Sequence, residues 1–222
     1  MKIENKSKGR IFKSPFLEFF TKTNPYLTLA FYIPLLFLLL LLSKYYFNSK
    51  PSTIVWVFFA GLFSWTFLEY LIHRFLFHLS GNSAITKKIC FMLHGIHHQF
   101  PRDTNRLFMP PLPGFVIVMA LLFLFYIFLS EHAFPFVSGL INGYLFYSFL
   151  HFSMHTKKPP KFLKRLWKHH ALHHYKNETA GYGVSTTFWD RLFLTMPNEQ
   201  EFSISKVEVE KKEIMQVKSD VG

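Results

Sequence analysis

Apolar residues in this chain come in long, nearly unbroken runs rather than in the narrow periodic stripes of a water-soluble fold. Tyr26–Leu42 is almost wholly apolar and contains LLFLLLLL, close to the ~20 residues a helix needs to cross a bilayer. A second run extends from about Thr53 to Leu71 and passes without interruption into HRFLFH. Two more, Phe115–Leu129 and Phe134–Leu150, form a tight pair joined by a short turn, Ser130–Pro135. Between the runs, Lys44–Pro51 is a polar turn, Gly81–Ser83 a break, Lys87–Gln99 a helical stretch and Phe100–Gly114 a loop rich in proline and arginine. The pattern predicts an all-α integral membrane protein with about four transmembrane helices.

Charge orients these helices. Lys2, Lys6, Lys8, Arg10, Lys13 and Lys22 precede the first run, KKPPKFLKRLWKHH follows the last, and the Ser130–Pro135 turn has no lysine or arginine. By the bias of positive residues toward the cytoplasm, that turn lies outside and both termini lie inside. A net charge of +12 would suit a nucleic-acid binder. Here the basic residues flank apolar runs, which points to membrane lipid and not to nucleic acid. Half of the 222 residues are hydrophobic, 29 of them phenylalanine, and mean hydropathy is positive, as expected of one domain that meets lipid. Its parts are a basic cytoplasmic leader (1–24) with an amphipathic interfacial helix near Ile11–Phe20, a membrane domain with a cytosolic helical cap (25–198), and a mobile charged tail (199–222). No cleavable signal peptide is visible, so the first span serves as its own insertion signal. Ala180–Pro197, rich in glycine and aromatic residues, is placed to cap a site. The single cysteine, Cys90, excludes an internal disulfide and a thiolate metal site, and reads as packing.

Histidines gather where the apolar runs end. Ten of twelve fall in four clusters: His73 and His78; His94, His97 and His98; His151 and His155; His170, His173 and His174. On a helix, i, i+3 and i+4 lie about 40–60° apart, so each trio shares a face and could form half of a metal site. The i, i+5 pair His73/His78 stands about 140° apart on a regular helix; either the helix ends or bulges there, or the two rings serve different metals. All four clusters fall on the cytoplasmic side. Imidazole is a common neutral metal ligand, and ten nitrogens fit two metals with about five each, leaving room for oxygen or water. Such a dimetal site beside a membrane suggests iron, with O2 as co-substrate, acting on an inert C–H bond, although zinc binds the same nitrogens. His132 lies in the outer turn as an ordinary interfacial residue, and His169 supports the last trio or is exposed. Glu69, one turn before His73, could accept a ligand imidazole's second N–H or be a helix-end charge, and Asp190 has the same options. Arg102, Asp103 and Arg106 either pair with one another or hold a lipid headgroup. Tyr144 and Tyr147 stand near the substrate's headgroup or belong to an interfacial belt.

Those clusters in their context resemble a known family. WTFLEYLIHRFLFH (Trp65–His78), HGIHHQFPRDTNRLFMPP (His94–Pro111), HFSMH (His151–His155), HHALHHYKN (His169–Asn177) and GYGVSTTFWDRLF (Gly181–Phe193) are similar to the fatty acid hydroxylase superfamily, in particular its fatty acid 2-hydroxylase (ceramide fatty acyl 2-hydroxylase) branch. The resemblance spans about Trp65–Thr195. It implies a four-helix membrane fold whose cytosolic cap holds two irons, with the ten clustered histidines as ligands and no catalytic residue beyond them. It implies O2-dependent hydroxylation at C2 of a long acyl chain, free or in a sphingolipid. Electrons would come from a cytochrome b5-type protein, a ferredoxin or a reductase. Some members carry a fused cytochrome b5 domain with an HPGG haem motif; none is visible here, so the donor is expected to be separate. That, with no ER-retrieval signal, favours a bacterial cytoplasmic membrane over the endoplasmic reticulum. Where the branch has an aspartate three residues before the third cluster, this chain has Ser148. Rival readings are a sterol desaturase or oxidase or a carotenoid hydroxylase of the same superfamily, a metal-transport or storage membrane protein, and a bis-histidine haem protein.

Overall fold

The computed structural model describes residues 3–4, 8–79, 81 and 83–198, so the charged segment expected at 199–222 lies outside the described residues. All regular structure among the described residues is helical, in the order α1 (Pro15–Phe19), α2 (Pro25–Leu41), α3 (Pro51–Leu71), α4 (Ala84–Cys90), α5 (Ile96–Gln99), α6 (Pro111–Leu129), α7 (Ala133–Thr156), α8 (Lys164–Tyr175) and α9 (Phe188–Leu192). Proline stands at the start of α1, α2, α3 and α6. Its fixed φ suits a first turn, and the N–H it lacks has no helical partner there anyway. Asn24 completes the start of α2 by accepting the Leu27 amide at 2.8 Å.

Among the described residues three stretches are long and apolar enough to cross a bilayer: Pro25–Tyr46, Pro51–Phe77 and Thr104–Thr156, the last holding both α6 and α7. α2 and α3 reach these lengths by running on as π-helical turns, Leu42–Tyr46 and Ile72–Phe77. The expected turn between α6 and α7 shrinks to Ser130–His132, because α7 absorbs Pro135 in its first turn, where proline is tolerated. Phe37, Phe63, Phe123 and Phe128 stay more than half exposed, as an outer wall facing lipid would. The chain is an integral membrane protein.

α7 is the hub. Its Val137, Leu140, Ile141 and Leu145 join Tyr32, Leu36 and Leu39 of α2 and Val118 of α6 in the main core. Against α3 the contact is backbone to backbone. A Cβ on Gly61 would stand 2.0 Å from the Phe136 carbonyl oxygen, one on Gly139 2.1 Å from that of Phe58, and one on Gly143 2.4 Å from Trp65. Small residues four apart let two membrane helices approach this closely.

The leader departs from expectation. Among its described residues only α1 is helical; residues 8–12 turn back over it, with the Ile11 and Phe12 amides each 3.0 Å from the Glu18 carboxylate. Arg106 pairs with Glu18 and donates to Thr21 Oγ1 at 2.9 Å and to the Gly9 carbonyl at 3.0 Å. Its Nε lies 3.3 Å from Asp103, which accepts the Gly9 amide at 3.1 Å. Asp103 and Arg106 are therefore a buried clasp between leader and loop: of the two roles the sequence left open, pairing with one another is the one the contacts bear out. Burial acts to raise the Glu18 pKa, but the Phe12 and Ile11 amides, then Lys22 and Arg106, outweigh it and hold the carboxyl at about 2. Its contribution is present above the ordinary carboxylate range and lost only as pH falls toward that value. Arg106→Met leaves buried Asp103 without its cation and Glu18 with Lys22 alone, 3.2 Å away, an expected loss of about 3–5 kcal/mol. A lowered Tm in detergent and early proteolysis near residue 10 would register it; unchanged values would mean the leader is held elsewhere.

Candidate metal centre

The structure brings all ten clustered histidines together at one end of the helices, and sorts them in a way their spacing does not announce. His73, His78, His94, His98 and His173 form one group, and His97, His151, His155, His170 and His174 the other; within each, one ring nitrogen per residue lies within 4.8 Å of all the rest. Neither trio is a half-site, which corrects the expectation. Each i, i+4 pair stays in one group (His94/His98, His151/His155, His170/His174), while the i+3 residue, His97 or His173, crosses to the other. The reason is angular: i+3 and i+4 lie on opposite sides of i, about 100° apart. The i, i+5 pair joins one group because the helix widens. The His78 amide bonds the His73 carbonyl at 3.2 Å, an i→i+5 bond of the π turn that brings the two ring centroids to 5.2 Å. The chain bulges at this pair, and the two rings do not part.

Inside the groups the Nε2 atoms face one another. His73 and His94 approach to 3.0 Å, His78 and His173 to 3.2 Å, and His98 and His173 to 3.1 Å. In the second group His97 and His174 stand 3.1 Å apart, His151 and His155 3.2 Å, and His155 and His170 2.9 Å. Two tautomers are fixed. His73 Nδ1–H donates to the Tyr182 carbonyl at 2.5 Å and His173 Nδ1–H to the Ala180 carbonyl at 2.8 Å, so both Nε2 atoms turn bare lone pairs toward their neighbours. Burial first, and then neighbouring imidazoles, hold His94, His97, His170 and His174 well below the ordinary histidine value. Neutral imidazoles with converging lone pairs are a donor set that fits a cation of the iron, zinc, copper or nickel type.

The carboxylates act elsewhere than expected. Glu69 does not reach His73: it accepts the Val184 and Ser185 amides at 2.7 and 2.8 Å and the Ser185 hydroxyl at 2.5 Å. Its position before His73 suggested otherwise, but the His73 proton is taken by a backbone carbonyl from the far end of the chain. Asp190 touches no clustered histidine; it lies 3.0 Å from Nε2 of His169, which is buried rather than exposed. His132 stands apart at the α6–α7 turn, beside Glu131 at 3.8 Å.

A cavity of about 440 Å³ opens onto both groups through His73, His94 and His97, within the range of small-molecule sites. Its walls are largely apolar, including Trp65, Ile72, Phe77, Leu107, Phe108 and Ile117. Tyr144, Tyr147 and Ser148 line it side by side; Tyr144 Oη accepts the Met109 amide at 3.0 Å, and the Tyr147 ring stacks on His151. Sequence reasoning missed that Ile11, Phe20 and Thr21 of the leader also line this cavity. The amphipathic pattern around them was the available signal, and it reads equally as a helix lying on lipid.

The sequence profile described as fatty acid hydroxylase matches residues 57–195. A dihydroceramide fatty acyl 2-hydroxylase of Arabidopsis thaliana is 34% identical, over 85% of this chain and 80% of that protein. A fatty acid 2-hydroxylase of Mus musculus is 32% identical over 86% of this chain, and a ceramide very long chain fatty acid hydroxylase of Saccharomyces cerevisiae 39% identical over 67% of it. The chain spans 57% of the mouse protein and 40% of the yeast one. A solved structure of full-length scs7p, with only the hydroxylase domain visible, superposes with a TM-score of 0.79 at 34% identity, covering 87% of this chain and 74% of that one. These relatives come from a plant, an animal and a fungus, which weighs against the bacterial membrane favoured by sequence. The matched profile spans the segment that carries α3 to α9 and both histidine groups, and the chain belongs to the fatty acid hydroxylase family of lipid-hydroxylating oxidoreductases.

Proposed function

We propose that the protein hydroxylates C2 of a long acyl chain with O2, the acyl group being carried by a ceramide or other sphingolipid or by a free fatty acid. The observation that carries this reading is the cavity, apolar along its walls and ending on histidines of both groups. The names of the relatives favour the 2-position and a sphingolipid over a sterol or carotenoid substrate.

In this reading the two groups of five histidines each hold one metal ion, iron in the working enzyme, with zinc able to replace it in isolated protein. When bound, the metal pair activates O2, drawing electrons from a cytochrome b5-type protein, a ferredoxin or a reductase. The chain's own residues position and shield the substrate. Tyr144 and Tyr147, which line the cavity together with Ser148, set which carbon lies against the histidines. α8 and the 180–185 segment close the far side, where His170, His173, His174 and Val184 are buried. α2, α3, α6 and α7 make four crossings, with both termini and the histidine end on the cytoplasmic side, a topology supported by the distribution of lysine and arginine. The amphiphile enters sideways from that leaflet.

The test is expression in a host without 2-hydroxy fatty acids, with and without an added sphingoid base, followed by mass spectrometry of hydrolysed lipids. New 2-hydroxy acyl chains, lost when His97 and His98 are both alanine, are the expected result. Dependence on the base names sphingolipids as the substrate. Iron-loaded protein with a compatible reductase and no hydroxy acid would overturn the proposal and turn attention to sterols and carotenoids.

A further inference from the structure

Four consecutive amides, Tyr182 to Ser185, give their N–H groups to two buried carboxylates. The Val184 and Ser185 amides go to Glu69, as described above. Those of Tyr182 and Gly183 go to Asp190, at 2.9 Å to Oδ1 and 2.7 Å to Oδ2. The Asp190 carboxyl also accepts the Thr195 hydroxyl at 2.8 Å and is fully buried. Gly183 leaves no slack: a Cβ there would stand 2.0 Å from the Thr186 carbonyl oxygen and 2.8 Å from Asp190 Oδ2.

The Gly183 N–H and the Tyr182 C=O belong to the same peptide unit, and in a trans peptide they point in opposite directions. Asp190 therefore grips one end of a peptide plane whose other end accepts the His73 Nδ1 proton. The second carbonyl of this segment is backed differently. Ala180 C=O, which accepts from His173, shares its peptide with the Gly181 N–H, and that bonds the neutral Thr195 carbonyl at 2.8 Å. One imidazole is backed by a full charge, the other by a dipole.

We propose that Asp190 is a positioning residue for His73, acting through the Tyr182–Gly183 peptide. The inference rests on the reading of the histidines as metal ligands. A carboxylate that orients a metal-binding imidazole is a recurring arrangement; here a peptide unit is inserted between the two, and hydrogen bonds in such a chain polarise and strengthen one another. The effect is to hold the His73 proton at Nδ1 and its lone pair at Nε2, toward His94. The group containing His73 then depends on Asp190 through this peptide, whereas the group containing His97 meets Asp190 only by way of His169, which precedes His170 and is not one of the ten.

The experiment is a chelator challenge of the full chain in detergent, loaded with zinc, in wild type, Asp190→Asn and Asp190→Glu. Asparagine keeps the shape but cannot accept from both amides. One of the two ions is expected to leave roughly 10–100-fold faster from Asp190→Asn, with the other and the helical content unchanged, and glutamate to recover most of the difference. Simultaneous faster loss of both ions, or of neither, overturns the relay. Should Asp190→Asn fail to fold, hydrogen exchange of wild type decides: zinc loading slows the 181–185 amides about tenfold, and no change overturns the proposal. Wild-type protein that binds no metal at all would instead overturn the ligand reading on which the relay rests.

Discussion

Alanine at His97 and alanine at His98 are expected to give two equally inactive proteins that have lost different metal ions. The two residues are adjacent in sequence, yet His98 sits with His73, His78, His94 and His173, and His97 with His151, His155, His170 and His174. Removing either takes one of five nitrogens from one group and none from the other. Metal catalysis of this kind is worth several kcal/mol of transition-state stabilisation, so hydroxylation should fall by roughly three orders of magnitude or more in both. Metal analysis then separates them: each single variant retains about one ion per chain under a chelator that strips the damaged group, and the double variant retains none. Single variants that both lose everything, or both keep everything, would mean the two groups are not independent sites.

The second large effect is expected far from any histidine. Gly139→Leu should yield no monodisperse protein, because a side chain there meets the Phe58 carbonyl at 2.1 Å and the Leu62 amide at 2.7 Å. Both are backbone atoms, and a helix backbone cannot turn aside as a side chain can. α3 and α7 would have to separate, and with them His73 and His78 from His151 and His155. Ordinary overpacking costs about 1–3 kcal/mol; forced parting of two backbones should exceed about 4 kcal/mol. Gly95→Ala is the control. Its Cβ would meet a Phe91 ring carbon at 3.3 Å and no backbone atom closer than 3.5 Å, and alanine suits a helix better than glycine by about 1 kcal/mol. Size-exclusion profiles of the two variants in detergent should differ plainly; similar profiles would show that the α3–α7 contact tolerates separation.

The helices were legible because hydrophobic length is a local property; their starts were not, since Pro25, Pro51 and Pro111 open them one to four residues before the apolar runs begin. The histidines were legible for the same reason: i, i+4 neighbours must lie together wherever the helix goes. Their grouping was not, since it depends on which helices face one another. The bulge at His73–His78 was one of two open possibilities, and only the i→i+5 bond separates them. Neither role left open for Glu69, partner of a ligand imidazole or helix-end charge, named its contacts, because Val184 and Ser185 are distant in sequence and bind it largely through backbone amides, which leave no trace in residue type. The leader was only half legible. Its amphipathic pattern marks the apolar residues, and Phe16 and Phe19 of α1 do stay largely exposed, but the pairing of Glu18 with Arg106 of a distant loop leaves no such pattern.

The crossing of His97 and His173 between groups has a consequence for biosynthesis. Neither group can be completed from a contiguous half of the polypeptide: one waits for His173, the other for His174, both on α8. While the ribosome adds the residues between α5 and α8, a matter of seconds at ordinary synthesis rates, α3 and α5 hold unfinished sets of imidazoles beside the membrane. With each group read as a metal site, capture at either one comes late, after α8 has joined the membrane helices, and closes the cap onto them rather than seeding their insertion.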